Sequence, residues 1–173
     1  DVIPKLAVDL SARMPRSAFT FQTESSHRIV ELLHQRALEL GITVTHTEKL
    51  GDLQARPLLR DPFVLVAPEG AAPPEEIMAG QAGLPFLRFS SQLFIARQIE
   101  SQLRRLGQVP AHGFECSNNQ TLMAMVAAGA GWTITTALLF SRARPLAGLA
   151  LHPFPGSAFA RTLSLVATPD CAG

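Results

Sequence analysis

The chain is 173 residues long, with 47% hydrophobic and 17% charged residues and a formal net charge of +1 at pH 7. So apolar a composition excludes a disordered chain and supplies the core of one domain or two small lobes. The balanced charge, with lysine only at Lys5 and Lys49 and no densely basic window, argues against nucleic-acid binding by this chain alone.

Residues 2–13 place Ile3, Leu6, Ala7 and Leu10 at helical spacing, and Pro15 closes that helix. Residues 18–23 alternate Phe19 and Phe21 with Thr20 and Gln22, the period of a strand. Ser25 or Ser26 then caps a helix carrying Ile29, Val30, Leu33 and Ala37 on one face. Gly41 and the β-branched Ile42, Thr43 and Val44 favour a strand over an extension of that helix. Residues 56–67 read as two strand pieces around Asp61-Pro62. Residues 69–74, EGAAPP, are turn-rich and form the expected crossing between lobes. Beyond them, residues 85–89 read as a strand and 94–106 as an amphipathic helix stopped by Gly107. Residues 112–116 form a strand, and 120–128 a helix with Gly129 as its left-handed cap. Residues 132–136 are a strand, 137–141 begin a short helix, and 149–154 and 162–168 are late strands. Strands alternating with helices on short connections predict α/β lobes with largely parallel sheets.

In such sheets ligands bind beyond the carboxyl ends of strands, where helix N-termini present N–H groups. The residues at these exits are Ser25 and Ser26, then His46 with Thr45 and Thr47, then Ser90, Ser91 and Gln92, then Ser117, Asn118 and Asn119, and finally Thr135 and Thr136. Taken singly, each Ser, Thr or Asn is most simply a helix cap. Their recurrence at every junction points instead to a small anionic or polar organic ligand held reversibly by neutral donors.

Motifs for bond-breaking chemistry are missing. There is no GxSxG elbow, and the dinucleotide-type start at Gly129 and Gly131 fails at Ile134. Neither lysine follows a phosphate-cradling glycine turn. His27, Glu31 and His34 share a helix face without metal-ligand spacing and read as a solvated surface, so no metal and no cofactor is expected. Cys116 and Cys171 are too few for a disulfide framework, which fits a reducing cytoplasm. No basic-then-apolar leader and no apolar run of about 18 residues is present, so no membrane partner is expected.

Three stretches carry a family likeness: residues 56–66 (RPLLRDPFVLV), 84–91 (LPFLRFSS) and 123–136 (MAMVAAGAGWTITT). In this order and spacing they resemble the effector-binding domain of LysR-type transcriptional regulators, the last stretch being the most specific. The likeness runs from the first helix to the strand at residues 163–166. It implies two Rossmann-like lobes of periplasmic-binding-protein type joined by two crossing strands. Lobe I would hold residues 1–68 and 153–173, and lobe II residues 69–152. The resemblance further implies a small-molecule effector in the cleft, contacted by Ser25/Ser26, Ser90/Ser91, Ser117/Asn118 and Thr135/Thr136, and no enzymatic activity. It implies a homodimer, tetrameric at full length, in the cytoplasm. DNA contact would come only through an N-terminal winged helix-turn-helix that, like the domain's first strand, is not in this sequence. Arg36 and Glu39 depart from the Gly and Asp usual before the second lobe-I strand. A transport solute-binding protein of the same fold is the alternative. An enzyme would need an acid/base pair or nucleophile at the strand exits, where none is seen.

Overall fold

A computed structural model describes residues 2–44, 50–142, 147–155 and 159–171. The chain forms two compact units, Asp1–Leu59 with Thr162–Gly173, and Arg60–Arg161. The boundaries expected at residues 68 and 153 both fall inside the second unit. So does the EGAAPP segment, where the Glu69 N–H donates to the Gly148 carbonyl at 2.9 Å. The chain instead passes between units within two strands, β2 (Gln54–Pro68) and β7 (Ala160–Ala167).

The first unit carries helices α1 (Val2–Arg13) and α2 (Ser26–His34), strand β1 (Leu40–Val44), and a closing 3-10 turn at Pro169–Cys171. Ser25 caps α2, its side chain accepting from the Arg28 N–H at 3.3 Å. Strand β1 pairs antiparallel with β7, Leu40 opposite Ala167 and Val44 opposite Leu163. Helix α2 lies close against β1: a Cβ on Gly41 would stand 2.5 Å from Ile29 Cγ2. Only glycine permits that approach, which buries Leu33 among Leu50, Leu53 and Val166. Residues 18–23, expected as a strand, are not one; Phe19 and Phe21 are 36% and 43% exposed. Alternation marks a face, but a strand needs a neighbour to pair its backbone, and none of the described strands pairs with this segment.

In the second unit β2 continues unbroken through Asp61-Pro62, a single 15-residue strand rather than two pieces. Pro62 stands just outside the β2–β5 ladder, which begins at Phe63 opposite Thr136. Strands β5 (Thr133–Thr136) and β6 (Leu149–Pro153) both pair antiparallel with β2. Strands β3 (Phe86–Phe89) and β4 (His112–Cys116) pair parallel. Trp132, leading into β5, continues the parallel run: its carbonyl accepts from the Leu87 N–H at 2.8 Å, and its own N–H reaches the Pro85 carbonyl at 3.1 Å. The expectation of largely parallel sheets is therefore corrected. Among the described residues, β4, β3 and the entry to β5 run parallel, whereas the long crossing strand β2 runs against β5 and β6.

Helices α3 (Pro74–Met78), α4 (Phe94–Arg105), α5 (Asn119–Ala127) and α6 (Ala137–Arg142) belong to this unit. Its core contains Leu65, Ile77, Phe86, Leu122, Met123 and Trp132, all essentially without solvent exposure. Gly131 allows the β5 entry to lie against β3, since a Cβ there would collide with the Pro85 carbonyl. Gly107 (φ 68°) and Gly129 (φ 79°) follow the ends of α4 and α5, as their sequence positions predict.

Candidate functional site

Because β3, β4 and the entry to β5 are parallel, their carboxyl ends leave the second unit at one edge. Phe89 stands opposite Cys116 at the close of the β3–β4 ladder, and the Ser90 N–H donates to the Cys116 carbonyl at 3.0 Å. This pairing sets the loop of Ser90, Ser91 and Gln92 beside Ser117. Ser90 is half-buried, whereas Ser91, Gln92 and Ser117 are exposed.

The remaining expected residues divide. Asn118 caps α5, accepting from the Thr121 N–H at 3.1 Å. Thr135 and Thr136 are fully buried and direct their hydroxyls into the protein. The Thr135 hydroxyl donates to Asn119 Oδ1 at 3.1 Å, and Asn119 Nδ2 donates to the Leu139 carbonyl at 3.0 Å. The Thr136 hydroxyl accepts from Arg161 Nη2 at 3.1 Å and from the Leu139 N–H at 3.4 Å. Asp61 completes this arrangement: Oδ1 accepts from the Leu138 N–H at 2.9 Å and Oδ2 from Arg161 Nε at 2.8 Å. Ser25 and Ser26 belong to the start of α2 in the first unit. His46 lies outside the described residues.

Two further residues matter here, Asn119, which the sequence places at the β4 exit, and Glu115, which the sequence pattern does not single out. Asn119 joins α5, β5 and α6 through both ends of its amide. Glu115 reaches the Ser90–Ser91 loop: its Oε1 accepts from the Ser91 N–H at 3.2 Å. Its Oε2 accepts from Arg88 Nε at 2.8 Å and from Arg88 Nη2. Arg88 Nη1 also donates to Glu100 Oε1 on α4 at 3.3 Å. The hydrogen bond from Arg88, followed by those from Ser91 and Ser90, holds the Glu115 carboxyl below the ordinary glutamate range. A signal existed in the sequence, since Arg88 and Glu115 each stand two positions before the serine that leaves its strand. It becomes readable only once the two strands are known to be neighbours.

Among the described residues, no three His, Cys, Asp or Glu side chains gather to hold a metal ion. His27 Nε2 instead lies 3.1 Å from Glu31 Oε1 on the surface of α2. No helix is long and apolar enough to cross a membrane among the described residues. The edge therefore offers neutral hydroxyl, amide and backbone donors around one carboxylate already paired to arginine. Such a set can orient a small polar molecule.

A model of the LysR substrate binding domain matches residues 1–172. The chain belongs to that family. Solved LysR-type structures have the same fold. A mutant of OxyR from Corynebacterium glutamicum superposes with a TM-score of 0.78 at 19% identity, over 97% of this chain and 54% of that one. HinK, a LysR family transcriptional regulator from Pseudomonas aeruginosa, gives 0.77 at 14% identity, over 96% of this chain and 59% of that one. The BenM effector binding domain, solved with its effector benzoate, gives 0.78 at 12% identity, over 98% of this chain and 78% of that one. The chain thus spans about half the length of the OxyR relative. No curated protein matches it at a significant level. The LysR substrate binding domain has the periplasmic-binding-protein type 2 fold.

Proposed function

We propose that this domain senses a small organic metabolite for a bacterial transcriptional regulator, binding it reversibly and without chemical change. The observation that carries this reading is the meeting of Ser90, Ser91, Gln92 and Ser117 at one strand-exit edge, in a chain of the LysR family. Ser25, Ser26 and His46 are offered as ligand contacts from their sequence positions alone. Asn118, Thr135 and Thr136 act by positioning α5, β5 and α6 rather than by donating to the ligand. The BenM domain was solved with benzoate and the QuiR effector binding domain with shikimate, which supports a small organic effector here. DNA contact would belong to another part of the whole regulator, since a net charge of +1 gives this chain little hold on phosphates. A homodimer in the cytoplasm is part of the same proposal.

A thermal-shift screen of small organic acids, amides, amines and polyols tests it. A ligand at 100 times its dissociation constant stabilises by about 2.7 kcal/mol, which raises the melting temperature by roughly 5–10 °C for a chain of this size. Ser90→Ala and Ser117→Ala should each weaken that ligand about 3- to 10-fold while leaving the unliganded melting temperature in place. A screen in which no compound shifts the melting temperature would overturn the reading.

A further inference from the structure

Helix α4 begins with Leu93 at its cap, which supplies no side-chain acceptor, and its first turn contains no acidic residue. The loop that leads into the helix, however, meets an acceptor from strand β4. Glu115 on β4 places Oε1 on the Ser91 N–H at 3.2 Å, while Arg88 grips its other oxygen. Arg88, Glu115 and Glu100 bring one positive and two negative charges together, and all three side chains retain solvent exposure, 24%, 41% and 29%. The Ser91 N–H, a donor that would greet an incoming carboxylate, is therefore already bonded to one, in a cluster whose charges sum to −1.

We propose that Glu115 is a specificity-determining residue, occupying the Ser91 N–H so that carboxylates are turned away and hydrogen-bond donors are admitted. This rests on the effector-sensing reading and sharpens its ligand class at this edge to hydroxyl, amide or ammonium groups. It reverses the anionic preference that neutral donors at the strand exits suggest on their own. An anion approaching Ser91 must displace a tethered carboxylate, whereas an N–H or O–H donor finds an acceptor held in place. Glu115 lies at the exposed end of β4, so it can be replaced without opening the core.

The test uses the 173-residue chain, with acetate and methylammonium as probes and the Ser90 and Ser91 amide resonances as the readout, in wild type, Glu115→Ala and Glu115→Thr. The threonine variant keeps strand propensity should alanine loosen β4. Acetate should bind both variants at least tenfold more tightly than wild type, with saturable shifts at Ser91. Methylammonium should follow the opposite order. Equal acetate affinity in all three proteins, absence of a Ser91 response in all three, or methylammonium following the acetate order would each overturn the assignment. None of those results touches the effector reading, which stands or falls on the thermal-shift screen.

Discussion

At the scale of single residues, the polar side chains of the second unit are of two kinds, and burial separates them. Thr133, Thr135 and Thr136 have no solvent exposure and spend their hydroxyls internally. Thr133 donates to the Leu87 carbonyl at 2.6 Å, so Thr133→Val removes a buried donor and leaves that carbonyl short of a partner. The expected cost is about 1–3 kcal/mol in denaturant unfolding, larger than for Ser91→Ala, whose side chain is exposed. Glu115 belongs to the other kind, exposed but held. Its carboxyl titrates below the ordinary value of 4.5 because Arg88 and the two serines favour the charged form. With a folded-state pKa depressed, its contribution to stability is present above the unfolded-state value and is lost as pH falls through the folded-state one. In an NMR titration, Arg88→Gln should move the Glu115 midpoint upward toward 4.5; an unmoved midpoint would remove Arg88 as the main cause. The sequence offered the serines and threonines of the exits as one class. It could not divide them, because a hydroxyl that caps and one that faces solvent are written with the same letter.

At the scale of elements, what was legible followed from local rules. The glycines after α4 and α5, the Ser25 cap of α2 and the strand periods at β3, β4 and β5 need no knowledge of distant neighbours. Pairing and direction do need it. Residues 18–23 carry a strand's alternation without a described partner strand, and the two pieces expected around Asp61-Pro62 join into one. Gly41 shows how a single position can decide an element's packing. In the sequence it favours a strand, yet its role is to let Ile29 and Leu33 of α2 come down onto β1. Gly41→Ala should destabilise the protein by about 1–3 kcal/mol, the usual cost of overfilling a packed contact. Adding Ile29→Ala removes the colliding methyl and should recover part of that loss in the double variant. A double variant with the full sum of both losses would mean that the steric account is wrong.

At the scale of the whole chain, the boundary between units is written in the burial of β2 and not in loop composition. Its residues are exposed as far as Arg60, then Asp61 is buried, and Phe63, Val64, Leu65, Val66 and Ala67 line the second core. A turn-rich segment such as EGAAPP advertises itself in composition, whereas a switch of environment within a continuous strand leaves almost no compositional trace. Asp61 stands at that switch, and Arg161, which closes the second unit, stands opposite it in charge. Their side chains are 1% and 13% exposed and lie 2.8 Å apart, and Asp61 also accepts from the first turn of α6. Both passages of the chain are thus fastened on the second unit's side by one buried pair. Removing either charge alone leaves the other without its counterion in a poorly solvated place, a cost of about 3–5 kcal/mol. Asp61→Ala should accordingly lower the melting temperature by roughly 6–20 °C, given 2–4 °C per kcal/mol for a chain of this size. Arg161→Met should behave similarly. The double variant should lose less than the sum of the two, because no charge is then stranded, and strict additivity would show that the pair does not act as a unit. The same cycle also reports on Thr136, whose hydroxyl accepts from Arg161. If the pair holds the β5 exit in place, the single variants should weaken a ligand found in the thermal-shift screen, although neither side chain is proposed to touch it.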